Sequence, residues 1–414
     1  MREAVIVATA RTAIGKAYRG AFNNTQGQTL AGHAIQAAVA RSGVAPGEVG
    51  DVILGAAMQQ GSTGGNIGRQ AALRAGLPTS VAGMSLDRQC ASGLMAIATA
   101  AKQVMVDGME IAIGGGVESI SLVQNEHANR FRSRDPALVA AVPALYMTML
   151  ETAEIVADRY KISREAQDEY ALQSQQRTGA AQAEGRFDAE IVPMTTTMIV
   201  TDKATGATSE REITIGRDEG NRPQTVLADL AGLKPVFKDG QTVKEGRFIT
   251  AGNASQLSDG ASAAVLMEAK EAERRGLQPL GAYRGMAVAG TEATSAGSRL
   301  RKRLACSFCT SEIDSTPPPI AISMPSTMIC LAAIEIAIRP EAHWRSTDMP
   351  ATLVGSPARN AHCRATLPPV APCCKAAPMI TSSTSAPGMP ARPTAASIAW
   401  PPSVCAGVSL KAPR

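Results

Sequence analysis

The sequence contains few aromatic residues and, over most of its length, almost no cysteine. Phe, Trp and Tyr make up 3% of the 414 residues, so the core must be built from Ala, Val, Ile, Leu and Met. Cys90 is the only cysteine among the first 290 residues, so no disulfide can form within that part. The same residues carry 29 Lys or Arg against 30 Asp or Glu, and this balance indicates no basic surface for nucleic acid or membranes.

The last 124 residues differ from the rest in composition. Residues 291–414 contain 17 of the 25 prolines, seven of the eight cysteines and only 4 of the 37 glycines. Frequent proline leaves few windows for a helix, and a composition break of this size marks a boundary between segments. We therefore expect residues 291–414 to be a disordered tail with little regular structure. Its long apolar run, 320–338, is interrupted by Pro325 and Glu335, so we predict an amphipathic segment rather than a membrane span.

The stretch around Cys90 has the pattern of a nucleophile turn. Residues 87–93, Asp-Arg-Gln-Cys-Ala-Ser-Gly, lie between an extended apolar run at 81–86 and a helical pattern at 94–101. In this order of strand, turn and helix, Cys90 is expected at a helix N-terminus, where the helix dipole favours thiolate over thiol. We expect it at the end of a central strand, before a helix that crosses the core. The alternative is a small buried core residue, since cysteine is often buried; the local sequence leaves both interpretations open.

Strand-like and helical segments alternate in the N-terminal part of the chain. Apolar runs at 4–8 and 52–55 are strand-like, and the segments 29–40 and 66–75 have helical spacing. This alternation predicts an α/β fold, with a parallel-rich sheet covered by helices on both faces. The three glycines at 114–116 lack the Lys-Ser/Thr of a nucleotide-binding Walker motif, so we predict close backbone packing there.

Several short motifs occur in a consistent order along the first 290 residues. They are Arg-Thr-Ala-Ile-Gly at 11–15, the turn at 87–93, Gly-Gly-Val-Glu-Ser at 115–119, Thr-Ala-Glu at 152–154, Ser-Arg-Glu-Ala-Gln-Asp at 163–168 and Thr-Ala-Gly-Asn-Ala-Ser at 250–255. Together they resemble the motifs of thiolases, the enzymes that make or cleave 3-ketoacyl-CoA. The resemblance covers residues 1 to about 290. It implies a thiolase-like fold and a thiolase-type acyl-CoA C-acyltransferase.

The resemblance also implies roles for individual residues. Cys90 would accept the acyl group as the catalytic nucleophile, and Met149 would line the acyl pocket. Thr148 stands where short-chain acetoacetyl-CoA thiolases have a histidine, which favours a broader 3-ketoacyl-CoA range. The residues expected to contact coenzyme A are Arg222, for the nucleotide, and Ala251, Gly252 and Ser255, for the pantetheine arm.

The same resemblance divides the chain into domains. Residues 1–119 and 249–290 would form the N-terminal half and the start of the second half, and residues 120–248 an inserted loop domain that binds coenzyme A. Coenzyme A thioesters would be substrates, so no cofactor and no metal are expected, and the family suggests a homo-dimer or tetramer. Because Met1 leads into the strand-like run 4–8 without a targeting pattern, we expect a cytoplasmic protein with no membrane or nucleic-acid partner.

We interpret the C-terminal thiolase repeat as missing from this chain. Its Asn-Glu-Ala-Phe segment and its Gly-His-Pro histidine are absent from residues 291–414, and we interpret the third motif, Cys-x-Gly with a second catalytic cysteine, as missing too. The histidines present, His343 and His362, have other neighbours, and one Cys-x-x-Cys at 306–309 is too little for zinc. The chain is therefore expected to be impaired. Two alternatives stay open, a non-catalytic thiolase remnant and a ketoacyl-synthase-like condensing enzyme; the loop with Ser255 argues against the latter.

The composition of the tail leads to a test at the level of the gene. The bias of residues 291–414 towards Pro, Ala, Ser, Arg and Cys resembles GC-rich DNA translated out of frame. If this hypothesis is correct, the nucleotide sequence downstream of about codon 290 encodes an intact thiolase C-terminus in another frame. Sequencing of the gene provides the measurement, and the absence of the Gly-His-Pro motif from all three forward frames would rule the hypothesis out.

Overall fold

The computed structural model describes residues 2–288, Gly290, Thr294 and the strand Ala333–Ala337. The strands are β1 (Ala4–Arg11), β2 (Gly15–Lys16), β3 (Asp51–Gly55), β4 (Ala82–Leu86), β5 (Ile111–Ser119), β6 (Met194–Thr201), β7 (Thr208–Ile215), β8 (Ser258–Glu268), β9 (Gly281–Ala287) and β10 (Ala333–Ala337). The helices are α1 (Gly27–Ser42), α2 (Ile67–Arg74), α3 (Ser92–Met105), α4 (Ile120–Val123), α5 (Pro136–Ala141), α6 (Met149–Tyr160), α7 (Arg164–Ala183), α8 (Leu227–Ala231) and α9 (Ala269–Arg274).

One mixed sheet organises the described residues. Its strands follow the order β10-β9-β1-β8-β5-β3-β4, and the short β2 pairs with β8. β3 runs parallel to both β4 and β5, whereas β8 runs antiparallel to β1 and to β5. The predicted α/β class is confirmed. The predicted parallel pairing describes the β4-β3-β5 part of the sheet, and the remaining pairs are antiparallel.

Helices cover both faces of the sheet, as the alternation predicts. α1 and α2 pack on one face, where Leu30 and Ile67 are fully buried. α3 packs on the other face through small side chains, among them Ala100 and Val104. Aliphatic residues therefore form most of the core, as the scarcity of aromatic residues requires.

The three glycines at 114–116 lie inside β5, and they let α3 approach the strand closely. A Cβ atom on Gly114 would lie 2.6 Å from the Cα atom of Ile97 in α3, and one on Gly116 would lie 3.1 Å from the Cα atom of Gly93. On the opposite face, a Cβ atom on Gly115 would meet the backbone of Ser262 in β8. The predicted close backbone packing is confirmed.

Residues 120–248 interrupt the alternation with helices and a hairpin. The two longest helices there are α6 and α7; the side-chain oxygens of Thr148 and Ser163 cap them by accepting from the N–H groups of Glu151 and Ala166, at 3.3 and 3.1 Å. The antiparallel hairpin β6-β7 was not predicted. Its signal is the β-branched run of Thr, Ile and Val in residues 195–201, which favours a strand.

Only one strand of the tail lies among the described residues. β10 pairs antiparallel with β9, with Ala333 opposite Ala287 and Ala337 opposite Ala282. It occupies part of the run 320–338, which the sequence predicts to be an amphipathic segment of a tail with little regular structure. The other expectations for residues 291–414 fall outside the described residues. In the described part of the chain, no helix has the length and apolar character needed to cross a membrane.

The contact between α3 and β5 leads to a stability prediction. Gly114→Ala should lower the free energy of unfolding by about 1–3 kcal/mol, because the added methyl group meets the backbone of Ile97 and cannot be relieved by a side-chain rotation. Urea denaturation followed by circular dichroism measures the change. Gly285→Ala in β9 is the matched control, since a Cβ atom there meets nothing within 4 Å. Equal stabilities of the two variants would contradict the prediction.

Candidate active site at the Cys90 turn

The predicted nucleophile lies on an exposed turn at one edge of the sheet. β4 ends at Leu86 and α3 begins at Ser92, so Cys90 lies two residues before the helix, and it is exposed. This confirms its expected place before a helix that packs across the core and excludes the buried alternative. The expectation of a central strand is wrong, because β4 is an edge strand of the described sheet. The order of strands along the sequence does not determine their lateral order, and β8, from far along the chain, takes the central position.

Polar side chains of the turn hold its conformation. Oδ1 of Asp87 accepts a hydrogen bond from the N–H of Gln89 at 2.6 Å. Oγ of Ser92 accepts from the N–H of Arg88 at 2.8 Å and donates to the carbonyl of Gln89. Gln89 has a φ of 47°, in the left-handed region that residues with a Cβ atom adopt only at a cost. The hydrogen bonds stabilise this conformation, and the turn carries Cys90 on its exposed side.

The position of Cys90 is suited to a nucleophilic thiolate. The first N–H groups of a helix have no acceptor within the helix, and they form the positive end of the helix dipole. A thiol next to such a terminus ionises more readily, and the thiolate is the reactive form. The same N–H groups can stabilise an oxyanion that forms when the thiolate attacks a thioester.

A carboxylate that the sequence does not single out lies behind the turn. Oε1 of Glu118, at the end of β5, accepts a hydrogen bond from the N–H of Ala57. Burial raises the pKa of Glu118 above its ordinary value, and the nearby charge of Asp87 raises it further, although the N–H groups of Ala57 and Met58 oppose the shift. Glu118 belongs to the motif 115–119. Its special environment follows from the fold and is not visible in the motif.

Buried carboxylates of α6 fix the segment that leads into the predicted coenzyme A loop. Oε1 of Glu151 accepts from the N–H groups of Thr242 and Val243, at 2.5 and 3.1 Å. The carboxylate of Glu154 accepts from the N–H groups of residues 247–249, at 2.8 to 3.1 Å. Both glutamates are only 2% exposed, so these backbone donors replace water around the two charges.

α7 connects the loop at 250–255 with Arg222. Oδ1 of Asp168 accepts from the side-chain amide of Asn253 at 2.9 Å. Seven residues further along the helix, Oε1 of Gln175 accepts from the N–H of Arg222 at 2.8 Å. Because positions seven apart lie on the same face of a helix, one face of α7 supports both segments. The structure thereby brings together the two segments predicted to contact coenzyme A.

The residues predicted to bind substrate are accessible. Met149 is the first residue of α6 and is half-buried, as is Gly252, and the other three are exposed: Arg222, Ala251 and Ser255. They share the support of α6 and α7, while Cys90 is carried by β4 and α3. Their contacts with an acyl-CoA stay predictions. In the described part of the chain, no three His, Cys, Asp or Glu side chains are grouped closely enough to hold a metal ion.

The contacts of Glu151 lead to a prediction on acid stability. Burial would raise the pKa of Glu151, but the N–H groups of Thr242, Val243 and Gln241 outweigh it and hold the pKa below its ordinary value of 4.5. The stabilisation is therefore complete above about pH 4.5 and is lost as the pH falls towards the folded-state pKa. Glu151→Gln should lower the stability at neutral pH and flatten its fall in acid, as measured by urea unfolding at several pH values. Glu169→Gln, on the exposed face of α7, is the control, and an equal flattening there would contradict the prediction.

Comparison with known proteins agrees with the motifs and the geometry. Residues 4–270 match the family model described as thiolase, N-terminal domain. A 3-ketoacyl-CoA thiolase of Bacillus subtilis (strain 168) is 40% identical over 293 residues, covering 70% of this chain and 72% of the relative. The peroxisomal 3-ketoacyl-CoA thiolase 1 of Arabidopsis thaliana is 38% identical over 297 residues, covering 70% of this chain and 63% of the relative. The match thus spans less than two thirds of the length of the plant relative.

A solved structure shows the same relation in three dimensions. The crystal structure of the Bacillus anthracis acetyl-CoA acetyltransferase aligns with a TM-score of 0.59 and 38% identity, covering 71% of this chain and 73% of that one. The family match, the relatives and the structural neighbour all agree with the ordered motifs around Cys90. This chain belongs to the thiolase family.

Proposed function

We propose that this chain transfers acyl groups from coenzyme A thioesters to Cys90, the first half of a thiolase reaction. The observation that carries the proposal is the exposed Cys90 on a hydrogen-bonded turn at the N-terminus of α3. The names of its relatives support 3-ketoacyl-CoA as the substrate class. Coenzyme A thioesters are substrates in this proposal, and no cofactor takes part.

The proposed half reaction needs no change of redox state. The thiolate of Cys90 attacks the thioester carbon, the C–S bond to coenzyme A breaks, and coenzyme A leaves as its thiolate while the acyl group stays on Cys90. With a 3-ketoacyl-CoA, the attack falls on the keto carbon instead, the C2–C3 bond breaks, and the departing acetyl-CoA carbanion takes up a proton. In this proposal, N–H groups near the start of α3 donate to the developing oxyanion.

Substrate binding is proposed to involve the surface supported by α6 and α7. Arg222 offers a positive charge for coenzyme A phosphates, and the loop with Ala251, Gly252 and Ser255 offers backbone groups for the pantetheine amides. Met149 is proposed to line the acyl pocket. Thr148, in place of histidine, supports a substrate range that extends beyond acetoacetyl-CoA.

The complete cycle needs a second acid–base group. The Gly-His-Pro and Asn-Glu-Ala-Phe motifs are absent from residues 291–414. One Cys-x-Gly does occur, at Cys405, so the interpretation that this motif is missing is wrong at the level of sequence; Cys405 lies outside the described residues. Without the histidine the thiolate lacks its usual general base, and this favours an impaired enzyme. A non-catalytic thiolase remnant is therefore the second candidate function.

Location and assembly belong to the same proposal. An exposed nucleophilic thiol is maintained in a reducing compartment, which supports a cytoplasmic location. Some relatives are named as peroxisomal. The thiolase resemblance supports a homo-dimer or tetramer.

Two assays on the purified chain test the proposal. Incubation with acetyl-CoA should acylate the tryptic peptide 89–102 at Cys90, detected by mass spectrometry, and Cys90→Ser should abolish the label. Thiolysis of 3-ketoacyl-CoA should stay at background, because loss of one member of a cooperating catalytic set already costs several orders of magnitude. Absence of the label from well-folded protein would favour the remnant. Steady turnover that disappears in Cys90→Ser would show that the chain is not impaired.

A further inference from the structure

Glu118 projects from β5 towards the turn that carries Cys90. Along β5, Gly114 faces Ile97 of α3 and Gly116 faces Gly93. The two residues from Gly114 to Gly116 advance about 6.7 Å along the strand, and the four residues from Ile97 back to Gly93 span about 6 Å of helix. The strand and the helix therefore run side by side towards the start of α3. Glu118 lies two residues beyond Gly116 on the same face of β5, past the start of α3, and the charge of Asp87 in the turn acts on its carboxylate.

The carboxylate of Glu118 is linked to the start of the turn through one loop. It accepts from the N–H of Ala57, and the next N–H, that of Met58, also stabilises its charge. The N–H of Ala56, in the same loop, donates to the carbonyl of Leu86 at 3.1 Å. Leu86 is the last residue of β4, directly before the turn, so one loop is bonded both to Glu118 and to the start of the turn.

A charged group of the turn acts on Glu118. Asp87 is the charged neighbour that acts on its carboxylate, and Arg88 and the thiol of Cys90 belong to the same turn. The loop after β3, residues 56–66, contains no titratable side chain. Oε2 of Glu118 is buried and has no hydrogen-bond partner among the described residues. The carboxyl group is therefore poorly solvated, next to one like charge.

We propose that Glu118 is a positioning residue for Cys90: it holds the loop at 56–58 against the nucleophile turn, and its ionisation is coupled to that of the thiol. The role rests on the proposed function of Cys90 as the acyl acceptor. Burial and the charge of Asp87 both raise the pKa of Glu118, which brings its titration closer to that of a thiol. Once ionised, Glu118 disfavours the thiolate.

The pH dependence of Cys90 alkylation tests this coupling. The second-order rate with iodoacetamide is measured on the full-length chain by mass spectrometry of peptide 89–102, so that the seven cysteines of the tail do not interfere. Glu118→Gln removes the charge and keeps an acceptor for Ala57. It should lower the apparent pKa of Cys90 by about half a unit to one unit, with an unchanged limiting rate. Glu118→Ala also removes the acceptor, and its limiting rate should fall several-fold.

Controls separate this role from a general effect on charge or folding. Glu126→Gln changes a glutamate whose side chain is 81% exposed, and it should leave the profile unchanged. A Glu118→Gln profile that superimposes on that of the wild type overturns the proposal. If the variants do not fold, the wild-type profile decides: two inflections, the earlier from Glu118, support the coupling, and a single inflection overturns it. Because alkylation needs no acyl-CoA, a failure of the proposed acyl transfer leaves this test unaffected.

Discussion

The close contact between α3 and β5 determines the position of the candidate site. Because positions 114 and 116 are glycines, no side chain of β5 stands there between the strand and the helix, and the two backbones lie against each other. Small residues of α3 fill the remaining space. Because backbone atoms on both sides limit any sliding, the first turn of α3 has one position over the sheet. The turn with Cys90 directly precedes α3, so the position of the helix also determines the position of the turn.

Buried carboxylates stabilise the irregular segments around the site. Glu118, Glu151 and Glu154 each accept hydrogen bonds from consecutive backbone N–H groups of a loop. Asp218 has the same function near the N-terminus, where it accepts from the N–H of Ile14 at 2.8 Å and pairs with Arg11. Since loops lack the regular hydrogen bonds of helices and strands, such carboxylates supply the missing acceptors. The loops are thus tied to helices and strands of the core.

Local patterns in the sequence predicted the parts of the fold that local interactions determine. Asn66 and Ser163 are effective helix caps, and α2 and α7 begin directly after them. The turn at Cys90 was predicted because its strand, turn and helix are contiguous. The lateral place of β4 was not, because β8 reaches the centre of the sheet through pairing with residues about 250 positions away.

The buried glutamates show a different limit of sequence analysis. Glutamate is ordinarily exposed, so a pattern of residue types assigns Glu118 and Glu151 to the surface. Their burial results from loops that fold back from distant positions, for Glu151 from residues 91 and 92 positions further along the chain. The contacts that such loops will make are not encoded in the local sequence around the glutamate. Only the folded arrangement distinguishes these residues from solvated glutamates such as Glu169 of α7.

The interior place of β1 in the sheet affects the order in which the chain folds during synthesis. Its neighbours in the described sheet are β8 and β9, so the first strand to be made has no strand partner until residues 258–268 have been translated. β3, β4 and β5, by contrast, find their parallel partners within about 70 residues, and α2 and α3 come from the same stretch. On the ribosome, the edge of the sheet that carries Cys90 can therefore assemble first. The N-terminal strand β1 can pair only after β8 has been synthesised.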